Sequence, residues 1–204
     1  MIKNSEQIKN ILLIRHGEST ANAGMATSDP KEISLTEKGE EQAKEVAEKI
    51  PFCPDLIITS PFLRARQTAG PTIEQYPQAI VEIWPEVREF TYLSSIACAG
   101  TTIYQRRAKV EDYWKAANPE YVDGKDAESF CNLMDRLRVT LQRLHESHAN
   151  NIVIFTHGQF MKALLMQQNN AKFREADCVV KMRLFHNEST IANCEIAWLE
   201  GIEM

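Results

Sequence analysis

The sequence predicts an α/β protein built on a mostly parallel sheet with helices packed on both faces. Three observations predict it. Short, continuously apolar runs alternate with longer stretches of helical periodicity. The first of them, Ile11–Ile14, is apolar at every position, as strands buried on both faces are. Three of them also lead straight into residues of unusual chemistry: Arg15-His16-Gly17, Ser60 to Arg64, and Thr156-His157-Gly158. Parallel strands put all their C-terminal ends on one edge, where open α/β sheets bind ligands.

The elements follow in order. Ile11–Ile14 reads as the first strand, followed by a polar loop over 17–34. Leu35–Ile50 reads as a helix that Thr36 can cap, with Ala43, Val46, Ala47 and Ile50 as its apolar stripe. Asp55–Thr59 is a second buried strand. Ser60-Pro61 then reads as an N-cap and a first-turn proline, opening a helix that should be disturbed at Gly70-Pro71. Ala79–Ile83 is a third strand. Residues 84–125 are the least regular, with one helix near Ile103–Ala116. Asp126 is expected to cap a long helix to about His148, with Phe130, Leu133, Met134, Leu137, Leu141 and Leu144 on its buried face. Asn151–Phe155 is a fourth strand, a helix follows over about Phe160–Gln168, and Glu195–Leu199 closes the sheet as an edge strand.

The chain has 204 residues, 44% of them hydrophobic, which suits one substantial core and a single domain over 1–204. Eight glycines and eight prolines are scattered rather than clustered, so no linker is apparent. The net charge of −5 argues against a nucleic-acid partner. No apolar run reaches membrane-spanning length, and the polar N-terminus is unlike a secretory signal. Five widely spaced cysteines without a CxxC pair fit reduced thiols and a cytoplasmic location. Oligomeric state is not legible.

His16 and His157 each follow a buried strand and precede a glycine. Neutral imidazole can act as a nucleophile, or as acid or base near neutral pH. A glycine just after it lacks the Cβ that would keep a bulky anion from the backbone N–H. Arg15 and Arg64 supply guanidinium forks suited to a tetrahedral dianion, and Arg64 lies in the first turns of a helix. Asn22 can add an amide. Each residue singly reads as an ordinary surface or capping group; together they fit phosphoryl transfer, which needs charge neutralisation, a nucleophile and an acid for the leaving oxygen.

The stretches LIRHGESTAN, SPFLRARQTA, EVREF and FTHG, in this order, resemble the four motifs of the histidine phosphatase superfamily, also called phosphoglycerate mutase-like. The resemblance implies a three-layer α/β/α sandwich with a small helical cap insertion at about 91–125. It implies that His16 is the phosphorylated nucleophile. Arg15, Arg64 and His157 would bind the phosphoryl group, with Gly17, Asn22 and the Gly158 N–H as further contacts. Glu89 would be the general acid. It implies no cofactor and no metal, and a small phosphomonoester as the substrate. After Glu89 this chain departs from the family's usual glycine and tryptophan, reading Phe90-Thr91-Tyr92. The short segment between Glu89 and His157 resembles the phosphatase branch rather than the glycolytic mutases. Tyr92, Ile96, Ile103, Tyr104, Tyr113 and Trp114 in the cap suggest apolar or aromatic leaving groups. The alternatives are a phosphoglycerate mutase and a non-catalytic phospho-ligand module.

Overall fold

The computed structural model describes residues 9–200. β1 (Asn10–Arg15) enters the sheet at once and is followed, after a long loop, by α1 (Glu37–Glu48). Thr36 caps α1, its side chain accepting from the Gly39 N–H. β2 (Leu56–Thr59), α2 (Leu63–Gln75) and β3 (Ile80–Ile83) come next, then a 3₁₀ turn at Pro85–Val87. α3 (Arg107–Ala116) precedes the long α4 (Phe130–Glu146). β4 (Asn151–Thr156), α5 (Gly158–Asn169), α6 (Ala171–Glu175), α7 (Cys178–Asn187) and β5 (Ile196–Trp198) complete the fold.

The sheet order is β3-β2-β4-β1-β5. All neighbours are parallel except β5, which runs antiparallel to β1 at the edge. The two faces of the sheet are read out in alternate residues. Leu12, Ile14, Ile57, Val153 and Phe155 pack with Val46, Ile50 and Ala69 of the α1/α2 side. Ile11, Leu13, Ile58, Ile152 and Ile154 pack with Phe130, Leu137, Phe160, Leu164 and Phe185 of the α4/α5/α7 side. This is the three-layer sandwich expected, and burial of these side chains is its main stabilising term.

Several boundaries differ from the sequence expectation. Ser60 is not the cap of α2; Phe62 occupies that position. The Ser60 N–H instead extends the β2–β4 ladder to the Phe155 carbonyl at 3.0 Å, and its hydroxyl accepts from the Phe62 N–H at 3.3 Å, one residue before α2 begins. α2 also runs unbroken through Gly70-Pro71. Gly70 has no Cβ to meet the proline ring, which removes part of the usual clash. α3 starts at Arg107, later than expected. Asp126 does not cap α4. Ser129 does, in a reciprocal capping box with Asn132 (3.1 Å each way). Asp126 accepts instead from Ser94 Oγ (2.7 Å), Ser95 Oγ and the Ile96 N–H (3.0 Å). Those bonds stitch the loop after Glu89 to the start of α4. α6 and α7 have no counterpart in the sequence expectation. All five cysteines are free. No helix among the described residues is long and apolar enough to cross a membrane.

Candidate active site

His16 stands one residue past β1, where its N–H bonds the Thr156 carbonyl at 3.0 Å and keeps the chain in register with β4. Its ring is held at both nitrogens. Nδ1 lies 2.7 Å from the Gly17 carbonyl, and Nε2 lies 3.1 Å from Nε of Arg64. A guanidinium N–H can only donate, so Nε2 is the unprotonated nitrogen and Nδ1 carries the hydrogen. Burial, then Arg64, then Arg15 push the His16 pKa well below its ordinary 6.5, against a smaller upward pull from the Gly17 carbonyl. The imidazole is therefore neutral at neutral pH, with its lone pair on Nε2.

Arg64 sits in the first turn of α2 and is 6% exposed. Its Nη1 donates to the Pro30 carbonyl at 2.7 Å. Burial brings its pKa down to about 10, with Glu89 opposing and Arg15 reinforcing, so it stays cationic. Arg15, at the end of β1, donates from Nη1 to the Ile191 carbonyl. Its Nε is buried with no partner among the described residues.

His157 follows β4 and is fully buried. Its Nε2 is 2.7 Å from Ser60 Oγ, which also accepts from the Phe62 N–H at 3.3 Å. Among the described residues Nδ1 has no partner, the ring centroid is 5.2 Å from that of His16, and Phe62 meets it edge-on at 5.1 Å. Burial first, then Arg64, His16, Arg15 and Arg136, drive its pKa well below 6.5. Two buried polar atoms, Arg15 Nε and His157 Nδ1, are thus left unpaired beside two cations, an arrangement that an anion relieves.

Glu89 reaches the same rim from the other side. Its Oε1 accepts from the N–H groups of Phe90 (2.9 Å), Gln159 (3.2 Å) and Phe160 (3.3 Å), so it sits on the first turn of α5. The backbone before it is clamped by Arg136 of α4, which donates to the carbonyls of Glu86 and Arg88 and pairs with the buried Glu128 at 2.6 Å. Glu82 and Glu86 are turned away: Glu82 accepts from Trp84 Nε1 at 2.6 Å, and Glu86 pairs with Arg143 at 2.9 Å.

Gly17 has a different task from the one expected. A Cβ on Gly17 would lie 2.6 Å from the Gly39 carbonyl oxygen, so that glycine lets the loop press against α1 rather than admitting an anion. A Cβ on Gly158 would lie 3.2 Å from Arg15 Nε. Asn22 is placed at the cavity, its Oδ1 accepting from Ser19 N–H (3.2 Å), Ser19 Oγ (2.9 Å) and Asn193 Nδ2 (3.2 Å). All eight residues singled out in the sequence converge here.

Four others were missed. Ser60 was read as a cap. Thr68, one turn after Arg64 in α2, accepts from the Gly17 N–H through Oγ1 at 3.0 Å. Asn193 carries no local signal, because the carbonyls it faces are over a hundred residues away in sequence, and the Glu86 and Arg88 carbonyls that Arg136 clamps are about fifty away.

Beside Arg64 and Glu89 opens a cavity of about 350 Å³. Of the cap residues expected to shape it, Tyr92 and Ile103 line it. Ile96 and Tyr104 point to solvent (74% and 81% exposed), while Tyr113 and Trp114 pack against Phe90 and Tyr92. Among the described residues, no three His, Cys, Asp or Glu side chains are grouped to hold a metal ion.

A family model described as histidine phosphatase superfamily (branch 1) matches residues 11–190. An uncharacterized phosphatase, PhoE, of Bacillus subtilis is 29% identical over 159 residues, covering 77% of this chain and 76% of that protein. A mannitol-1-phosphatase of Eimeria tenella is 28% identical over 170 residues, covering 67% of this chain; the chain spans about half (54%) of that protein's length. Among solved structures, the alpha-ribazole phosphatase of Shigella flexneri superposes with a TM-score of 0.69 at 23% identity, covering 92% of this chain and 88% of that one. A mycobacterial glucosyl-3-phosphoglycerate phosphatase gives 0.71 at 21% identity, covering 93% and 88%. At such identities the structural likeness establishes the fold alone.

Proposed function

The chain belongs to the histidine phosphatase superfamily, branch 1, and on that premise we propose that it hydrolyses phosphomonoesters through a phosphohistidine on His16. The observation that carries this reading is the single tautomer imposed on His16. Gly17 takes the Nδ1 hydrogen and Arg64 faces the Nε2 lone pair. An incoming phosphoryl group takes the place of that Arg64 contact: its oxygens receive the guanidinium, and phosphorus receives the lone pair.

The steps balance as follows. Nε2 attacks phosphorus in line, the bond to the leaving oxygen breaks, and that oxygen takes the proton of Glu89. Oε1 of Glu89 receives the three shorter N–H contacts and Oε2 only the Gln159 N–H at 3.5 Å, so Oε2 is the oxygen with room to face the leaving group. Arg15, Arg64, His157 and the Gly158 N–H hold the non-bridging oxygens, and the Nδ2 end of Asn22 adds a donor. The arriving dianion is the opposite charge that favours protonation of His157. In the second half, water attacks phosphorus, the N–P bond breaks, and Glu89 takes up the water proton.

Between Glu89 and the start of α4 at Phe130 the chain has room for a single helix of eight residues or more, α3, and a cap this small at about 91–125 favours water over a bound hydroxyl as acceptor. The test is phosphate release from 4-nitrophenyl phosphate by the wild type and by His16→Ala. Loss of release in a variant with unchanged melting temperature supports the reading, and retained release rejects it. Interconversion of 2- and 3-phosphoglycerate with a bisphosphate primer, without net phosphate release, assigns the chain to the mutases instead.

A further inference from the structure

We propose that Arg106 selects substrates whose leaving group carries a second anion, a carboxylate above all. This deepens the hydrolase reading and rests on it. The cavity has a polar floor of Arg64, Glu89 and Gln159 and a mainly apolar wall from the segment after Glu89, including Tyr92, Ile103 and Val110. One cation stands in that wall, Arg106, half-buried at the N-cap of α3. Its neighbours in the same turn are neutralised: Arg107 pairs with Glu111 at 2.8 Å and Lys109 with Asp123 at 2.7 Å. Arg106 has no ion-paired or hydrogen-bonded side-chain partner among the described residues. Glu89, the carboxylate that also lines the cavity, is occupied by the first turn of α5. An unpaired guanidinium beside apolar walls attracts an anion more strongly than one in water, and its planar fork matches a carboxylate.

The probes are 3- and 4-carboxyphenyl phosphate, each set against its neutral carbamoyl isostere. A carboxylate preference of roughly tenfold or more in kcat/KM is expected for at least one ring position in the wild type, the worth of one charged hydrogen-bonded contact. Arg106→Gln should bring that ratio close to one. Equal turnover of acid and amide by the wild type, or a preference that survives in Arg106→Gln, overturns the assignment and leaves the hydrolase reading standing. No phosphate release from any probe or from 4-nitrophenyl phosphate overturns both.

A separate observation assigns a positioning role to Asn193, which lies outside the matched residues 11–190. Its Nδ2 faces the carbonyls of His16 (3.0 Å) and Gly17 (3.1 Å) and Oδ1 of Asn22 (3.2 Å). The Gly17 carbonyl is the one that holds the Nδ1 hydrogen of His16. One amide therefore fixes the group that sets the nucleophile's tautomer, and turns the Nδ2 end of Asn22 away from itself. The next residue, Cys194, is held at φ 55, a left-handed conformation, while its N–H bonds the Arg15 carbonyl at 3.1 Å.

Asn193→Ala and the nearly isosteric Asn193→Asp, which lacks the donor hydrogens, test this role. Both should lose roughly tenfold or more in kcat with a smaller change in KM, an estimate for a misplaced nucleophile. The ¹⁵N shifts of the His16 ring should move from one tautomer toward a mixture. Wild-type kcat and unchanged ring shifts in a folded variant overturn it. If Asn193→Ala fails to fold, the same two readouts on Asn193→Asp decide.

Discussion

Arg64 donates from Nε to Nε2 of His16 across 3.1 Å, a cation placed on the lone pair of a neutral imidazole. The contact does two things. It excludes the other tautomer of His16, and it holds the guanidinium where a phosphoryl oxygen will need it. Arg64→Lys removes the Nε donor and the fork that also binds the Pro30 carbonyl. A point charge on a flexible stem cannot replace both. A fall in kcat/KM of roughly 10²–10³ is expected, by analogy with loss of a transition-state donor, with far-UV circular dichroism unchanged.

The buried histidines set the pH response. His16 and His157 both have pKa values pushed well below 6.5, by burial first and by neighbouring cations second. The nucleophilic form of His16 therefore persists below pH 6.5, and the acid limb of kcat/KM assigned to it falls under that value. Stability responds too. Unfolded histidine binds a proton near pH 6.5, whereas the buried rings stay neutral to lower pH. Their contribution is fully present above pH 6.5 and is lost as pH falls from there toward the folded-state values. The slope is about 1.4 kcal/mol per pH unit for each ring. Urea titrations between pH 7.5 and 5.5 measure it, and His157→Ala should make the slope shallower.

Ser60→Ala leaves His157 without a partner on either ring nitrogen, since Nδ1 has none among the described residues. A buried polar atom stripped of its partner costs about 1–3 kcal/mol. The loss should appear in the urea midpoint, together with reduced turnover as the ring loses its orientation.

Gly17 and Gly158 separate stability from binding. Alanine at 17 drives its Cβ to 2.6 Å from a backbone oxygen of Gly39, which cannot step aside without moving α1. A destabilisation of about 1–3 kcal/mol is expected, read as a lower melting temperature. Alanine at 158 meets the Arg15 side chain at 3.2 Å, and that side chain can move. Gly158→Ala should therefore raise KM and weaken inhibition by inorganic phosphate, with a smaller thermal shift.

Most strands were legible because apolar runs such as Ile11–Ile14 and Ile152–Phe155 are buried, and burial leaves a mark in composition. The site was legible because its charged residues follow those strands directly. Helix boundaries were less so. Ser60 has the chemistry of a cap, but the bond to His157 comes from a residue nearly a hundred positions away. Asp126 was the expected cap of α4, but Ser129 and Asn132 form the reciprocal pair there. α6 and α7 carry readable caps, Asn170 and Asp177. Their fully buried positions, Phe173, Met182 and Phe185, are few and make a weak helical period. Asn193, Arg136 and the unpaired state of Arg106 depend on tertiary neighbours and leave no local trace.

The central claim is a covalent phosphoryl group on His16. Rapid acid-free quenching during turnover, followed by peptide mass spectrometry, tests it most directly. The account predicts an added phosphoryl group on the peptide carrying His16, labile to acid and stable to base, and absent in His16→Ala. Steady turnover with no labelled His16 at any time point, or a label on another residue, contradicts it.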